Sequence, residues 1–124
     1  MIKKVQELKS KAEKKEKVDF YEGVIQSLTG IIEYLENMAK LACKRREQCT
    51  PTERNNIENL TQVEKRLRNL ATGPPTNFIE AAQLVYTLHT ALHLIGEPVS
   101  VGRLDRLLGK FYENDLKKKI INQE

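Results

Sequence analysis

The four prolines of this chain stand at only three points, Pro51, Pro74-Pro75 and Pro98, and between those points apolar residues recur at separations of three and four. Proline in a helix interior removes a backbone bond and clashes with the preceding turn, so these points divide the chain into helical runs. From Val18 to about Arg46 the stripe comprises Tyr21, Val24, Ile25, Leu28, Ile31, Ile32, Leu35, Met38, Ala39 and Ala42, wide enough to be buried on more than one side. Gly23 and Gly30, seven apart on that run, would permit close approach by another backbone. Ahead of it, about Val5 to Lys17 has helix-forming composition but a thin stripe of Ile2, Val5, Leu8 and Ala12.

Thr50, Pro51 and Glu53 read as a helix start, with Thr50 capping free amides and Glu53 reaching back to the cap. The helix that follows extends to about Ala71, with Ile57, Leu60, Val63, Leu67 and Leu70 on one narrow face. Thr72-Gly73-Pro74-Pro75 ends it and forces an extended connection. Asn77 and Glu80 form a second capping box, with Thr76 competing for the cap. From Phe78 to Ile95 the chain has its most hydrophobic helix, predicted to lie at the centre. Gly96-Glu97-Pro98 stops that helix, and only Val99-Ser100-Val101 looks strand-like. A last helix spans Arg103 to about Lys118, with Leu104, Leu107, Leu108, Phe111 and Leu116 inward. The predicted fold is all-α, an antiparallel bundle of four main helices with an additional N-terminal helix. The organisation expected is a basic N-terminal helical extension at 1–17, a helical domain at 18–118 and a polar tail at 119–124.

A chain of 124 residues fits one domain with a core of modest size. Its formal charge of +4 arises largely from Met1 to Lys17, with seven lysines against three glutamates, and from Lys117, Lys118 and Lys119. Such patches attract nucleic acid or acidic membrane in some proteins. Here the lysines are not interleaved with stacking aromatics and no zinc finger or phosphate loop is present, so a solvated surface is the simpler reading and nucleic acid is not an expected partner. No stretch approaches the roughly 18–20 apolar residues of a membrane span. Cys43 and Cys49, six apart and without metal-ligand spacing, read as reduced thiols in a cytoplasmic protein without a secretory segment.

Few residues suggest chemistry. His89 and His93 share a helical face as two ligands would, but the intervening residues lack the glutamate of a zinc hydrolase motif and no third ligand is placed by spacing. Hydrogen-bonded histidines on a central helix, with no metal, are the expectation. Arg103, Asp105 and Arg106 open the last helix, where Asp105 suits the helix dipole and an ion pair or cap explains the group without catalysis. Cys43 precedes Lys44, Arg45 and Arg46, which would lower its pKa if their side chains reached it. A structural cysteine is the preferred reading.

Three motifs, in order, carry a resemblance. Pro74-Pro75-Thr76-Asn77-Phe78-Ile79-Glu80-Ala81-Ala82-Gln83-Leu84 is the first, followed by Ser100-Val101-Gly102-Arg103-Leu104-Asp105 and then Phe111-Tyr112-Glu113-Asn114-Asp115-Leu116. Together they resemble a helical segment of the pyruvate formate-lyase-like glycyl radical enzymes, over about Val18 to Lys118. The arginine-x-aspartate form is more similar to the glycerol dehydratase and choline-lyase-like branch than to true pyruvate formate-lyase. Pro74, Pro75, Phe78, Glu80, Gln83, Gly102, Phe111, Tyr112 and Asp115 are the structural motif residues. Arg103, Asp105, Arg106, His89 and His93 are the candidate polar or substrate-facing remnant.

The resemblance implies a parent with a β/α barrel, a radical glycine and a loop cysteine, and this sequence has no counterpart of either catalytic motif. Arg106 stands where the family often has glutamine, and Leu94-Ile95-Gly96-Glu97 departs from its acid near the end of the histidine helix. Catalysis by the chain alone and a bound cofactor are therefore not expected. A noncatalytic helical protein acting through self-association or a helical protein partner is the leading expectation. A subunit or fragment complementing a separate glycyl radical chain is the alternative, and a basic anion- or nucleic-acid-binding module is the third.

Overall fold

A computed structural model describes residues 2–96 and 99–122. The described residues form five α-helices, with no strand among them: α1 Ile2–Ser10, α2 Lys15–Glu47, α3 Arg54–Thr72, α4 Phe78–Leu94 and α5 Leu104–Lys117. The fold is the expected all-α helical bundle. Val99-Ser100-Val101 is irregular rather than extended into a sheet, because no second strand accompanies it. Glu97 and Pro98, part of the expected helix stop, lie outside the described residues.

The chain packs as two units, Met1–Tyr34 and Leu35–Glu124. In the first, α1 ends at Ser10 and α2 begins at Lys15, so the break falls earlier than the expected boundary at residues 17 and 18. The Ser10 hydroxyl donates to the Glu7 carbonyl at 2.9 Å, and Ala12 N–H closes a turn on the Lys9 carbonyl at 3.1 Å. Lys9 Nζ then pairs with Glu22 at 3.1 Å. Ile2, Val5 and Ala12 are half-buried, whereas Leu8 of the same stripe is exposed. Nothing in the structure lies within 4 Å of a Cβ built at Gly23 or Gly30. The expected close backbone approach at these glycines is therefore absent among the described residues.

The second unit holds the best-buried residues. Leu35, Ala39 and Ala42 on α2, Leu67 and Leu70 on α3, and Ala81 on α4 form its apolar core. The helix pairs that approach most closely are α4 with α5 and α3 with α4, so α4 lies between two neighbours, as its apolar composition predicts. It is nevertheless covered only in part: Ile79, Tyr86 and Leu94 are exposed. Two residues expected inward on α5, Leu104 and Leu107, also face solvent, because α5 turns toward α4 the side carrying Leu108, Phe111 and Asp115.

Helix α3 starts four residues after the expected cap. Thr50 to Glu53 instead close a turn, with Glu53 N–H on the Thr50 carbonyl at 2.9 Å. The Glu53 carboxylate does answer back, accepting from Thr50 N–H and from the Thr50 hydroxyl, both at 2.8 Å. These donors hold Glu53 below the ordinary carboxylate range, the Thr50 amide contributing most. Pro51 accordingly sits in the turn and not at the first helical position. Farther along, Glu64 of α3 joins Arg46 of α2 at 2.7 Å and Arg68 at 2.9 Å.

Candidate functional site

The proline-proline segment and the phenylalanine-tyrosine segment, 37 residues apart at their joining contact, meet where α4 begins and α5 ends. Asn77 is the N-cap of α4, its side chain accepting from Glu80 N–H at 2.9 Å. Another free amide of the helix start, Phe78 N–H, donates to Asp115 Oδ2 of α5 at 2.8 Å. A helix leaves its first four amides without internal partners, so Asp115 acts as a cap supplied by a different helix. The Phe78 and Tyr112 rings pack edge to face beside it, with centroids 5.5 Å apart.

Glu80 binds the same junction from within α4. Its carboxylate accepts from Thr76 N–H at 2.8 Å, the Thr76 hydroxyl at 2.9 Å and Asn69 Nδ2 of α3 at 3.0 Å. Burial pushes this carboxyl up, but the donors from Asn69, Thr76 and Asn77 outweigh burial and hold it below its ordinary value. Both Glu80 and Asp115 are almost fully buried, at 3% and 2% exposure, which such groups tolerate only when their oxygens are satisfied. No buried side-chain polar atom among the described residues is left without a partner. An open groove of about 400 Å³ lies over this junction, lined in part by Lys65, Arg66, Asn69 and Ile120.

Asp115 also anchors the end of its own helix. Its carbonyl accepts from Ile120 N–H at 2.9 Å, and Lys119 N–H reaches Leu116 at 3.0 Å. With Lys119 left-handed at φ 55°, this is the paired-bond helix ending usually built on glycine. Of the other motif residues, Pro75 and Phe111 are half-buried and Pro74 is exposed. Gln83 is half-buried and donates to the Thr87 hydroxyl at 3.3 Å. Gly102 occupies the left-handed region at φ 72°, immediately before the cap of α5.

The candidate polar residues lie toward the other end of the helix pair. His89 and His93 meet through their Nε2 atoms at 3.1 Å, with rings nearly perpendicular. Arg103 grips Asp105 with two bonds, Nε to Oδ1 at 3.1 Å and a guanidinium nitrogen to Oδ2 at 2.5 Å. That grip depresses the Asp105 pKa, against a smaller opposing effect of desolvation. Arg106 is exposed. The hydrogen bonds join histidine to histidine and arginine to aspartate without linking the two pairs, and no group of three metal-ligating side chains converges among the described residues. Burial pushes the Cys43 thiol up, Glu64 and Glu47 add to that, and Arg46, which donates to the Cys43 sulfur at 3.4 Å, opposes them. Sequence reasoning saw its basic neighbours but not the acid brought over by α3.

Relatives of the chain have names consistent with its motifs. It is 35% identical over 111 residues to an indoleacetate decarboxylase of Tractidigestivibacter scatoligenes, covering 88% of this chain and 12% of that protein. It is 32% identical over 109 residues to a 4-hydroxyphenylacetate decarboxylase glycyl radical subunit of Clostridioides difficile, covering 85% and 12%. A probable dehydratase of Escherichia coli strain K12 is 31% identical over 91 residues, covering 72% and 11%. The chain thus spans about an eighth of the length of the curated relatives it matches. No solved structure matches it significantly. The pyruvate formate lyase-like family profile matches residues 1–124, and the chain belongs to that family.

Proposed function

We propose that this chain is a noncatalytic helical component of a glycyl radical system, working by contact with a polypeptide that carries the radical glycine and the reactive cysteine. The observation that carries the reading is the set of exposed apolar side chains from the end of α4 to the first turns of α5. At the capped end Ile79 and Ile120 are exposed, by 44% and 60%. Toward the other, Leu94, Ile95, Val99, Leu104 and Leu107 are exposed, the first two by 74% and 72%. Contiguous exposed apolar surface marks contact sites more often than scattered apolar side chains do.

Two further facts support it. The relatives named as decarboxylases, one of them a glycyl radical subunit, are about eight times longer than the matched segment. Of the candidate polar residues, His89 pairs with His93 and Arg103 with Asp105, and Arg106 is exposed. Native mass spectrometry of the endogenous protein is the test. A heteromeric complex with a glycyl radical chain is expected, and Leu107→Asp should weaken it at least about tenfold, or about 1.4 kcal/mol. A monomer at micromolar concentration with no bound chain overturns the reading, and a homodimer alone replaces the partner with a second copy.

A further inference from the structure

We propose that His89 and His93 form an open two-nitrogen site for a first-row transition-metal dication, bound most strongly as copper(II). The inference is independent of the partner reading, because it rests on geometry within one helix. Both residues lie in the last turns of α4, and it is their Nε2 atoms, the outermost ring nitrogens, that converge to 3.1 Å. Two lone-pair nitrogens cannot rest at that distance unless one carries a proton that the other accepts. One ring therefore donates and the other accepts, and a metal ion can take the place of the shared proton.

The spacing suits such an exchange. With metal–nitrogen distances of about 2.0–2.1 Å, nitrogens this far apart subtend roughly 95–100° at the metal, between the right-angle and tetrahedral arrangements. Either geometry requires each Nε2 lone pair to turn roughly 40° from the N···N line toward the shared ion, by ring rotation. On metal binding the proton of the donor ring moves from Nε2 to Nδ1 through solvent, so both rings stay neutral and both Nε2 lone pairs face the cation. The end of α4 favours positive charge, because unpaired carbonyls give a helix C-terminus its partial negative charge.

Imidazole nitrogen suits copper, nickel and zinc, and affinity at a site of this kind rises from nickel to copper and falls again at zinc. Two protein donors leave at least two positions for water or for a donor from another molecule, unlike the four protein ligands of a structural zinc site. His93 is exposed and His89 half-buried, so an ion has access without rearrangement of the core.

The test is calorimetric titration of the full chain with copper(II), nickel(II) and zinc(II) chlorides, alongside His89→Gln and His93→Gln. The expected result is one equivalent bound per chain, copper most tightly, with each variant weakened at least about tenfold. Electron paramagnetic resonance of the copper form should show coupling to two nitrogens in the wild type and one in each variant. Circular dichroism establishes that the exposed His93→Gln variant remains helical. Wild-type affinity in both variants, or a copper spectrum with no imidazole nitrogen, overturns the proposal.

Discussion

Glu80 shows how a buried charge is kept by geometry. Its carboxylate is stabilised by three donors from two segments, and its pKa lies below that of a free glutamate, about 4.3. A depressed folded-state value means that the ionised group contributes stability above the unfolded pKa and that this contribution is lost as pH falls through the folded one. Acid titration monitored by circular dichroism should therefore show a loss of stability beginning near pH 5 and continuing below 4. Glu80→Ala should cost about 1–3 kcal/mol at pH 7 and flatten that dependence. Much of this residue's role was legible in sequence, because Asn77 and Glu80 are three apart and a capping box is local. What was hidden is where the carboxylate goes. It turns to Thr76 and to Asn69 of another helix, and no spacing rule carries information about a side chain on α3.

Among the elements, legibility followed the same division. The apolar faces of α3 and the second half of α2 were read from their periodicity, and Leu35, Ala39, Ala42, Leu67 and Leu70 are buried as those stripes require. The start of α3 was displaced because Thr50-Pro51-Thr52-Glu53 satisfies a turn with the same groups that would make a cap. Helix interiors and helix ends also differ in their conformational demands. Gly23 and Gly30 lie in α2 with open space where a Cβ would stand, so each substitution to alanine should stabilise by about 0.5–1 kcal/mol. Gly102 at φ 72° has open space too, but the wrong backbone for a side chain, and Gly102→Ala should cost about 1–2 kcal/mol. Lys119→Gly should do the reverse at the end of α5, raising stability by about 0.5–1 kcal/mol. Urea titrations of the four variants check both signs, and a stabilising Gly102→Ala would contradict the assigned turn.

At the scale of the molecule, membership of the pyruvate formate lyase-like family and the helical fold agree with the motif order. The first and last of those motifs are physically joined: the first supplies the start of α4 and the last supplies Asp115 and Tyr112 against it. That junction sets an order of events as the chain folds. Helix α4 can coil locally, but Phe78 N–H finds its acceptor, 37 positions along the chain, only after the intervening segment closes into a loop. Docking of α5 thus adds an acceptor for Phe78 N–H to the cap that Asn77 already supplies, and the two helices should open together rather than fray singly. In native-state hydrogen exchange the Phe78 amide should share the protection of the α5 interior. Asp115→Ala should release that one amide to fast exchange even where α4 stays helical, so a single proton reports whether two helices are joined.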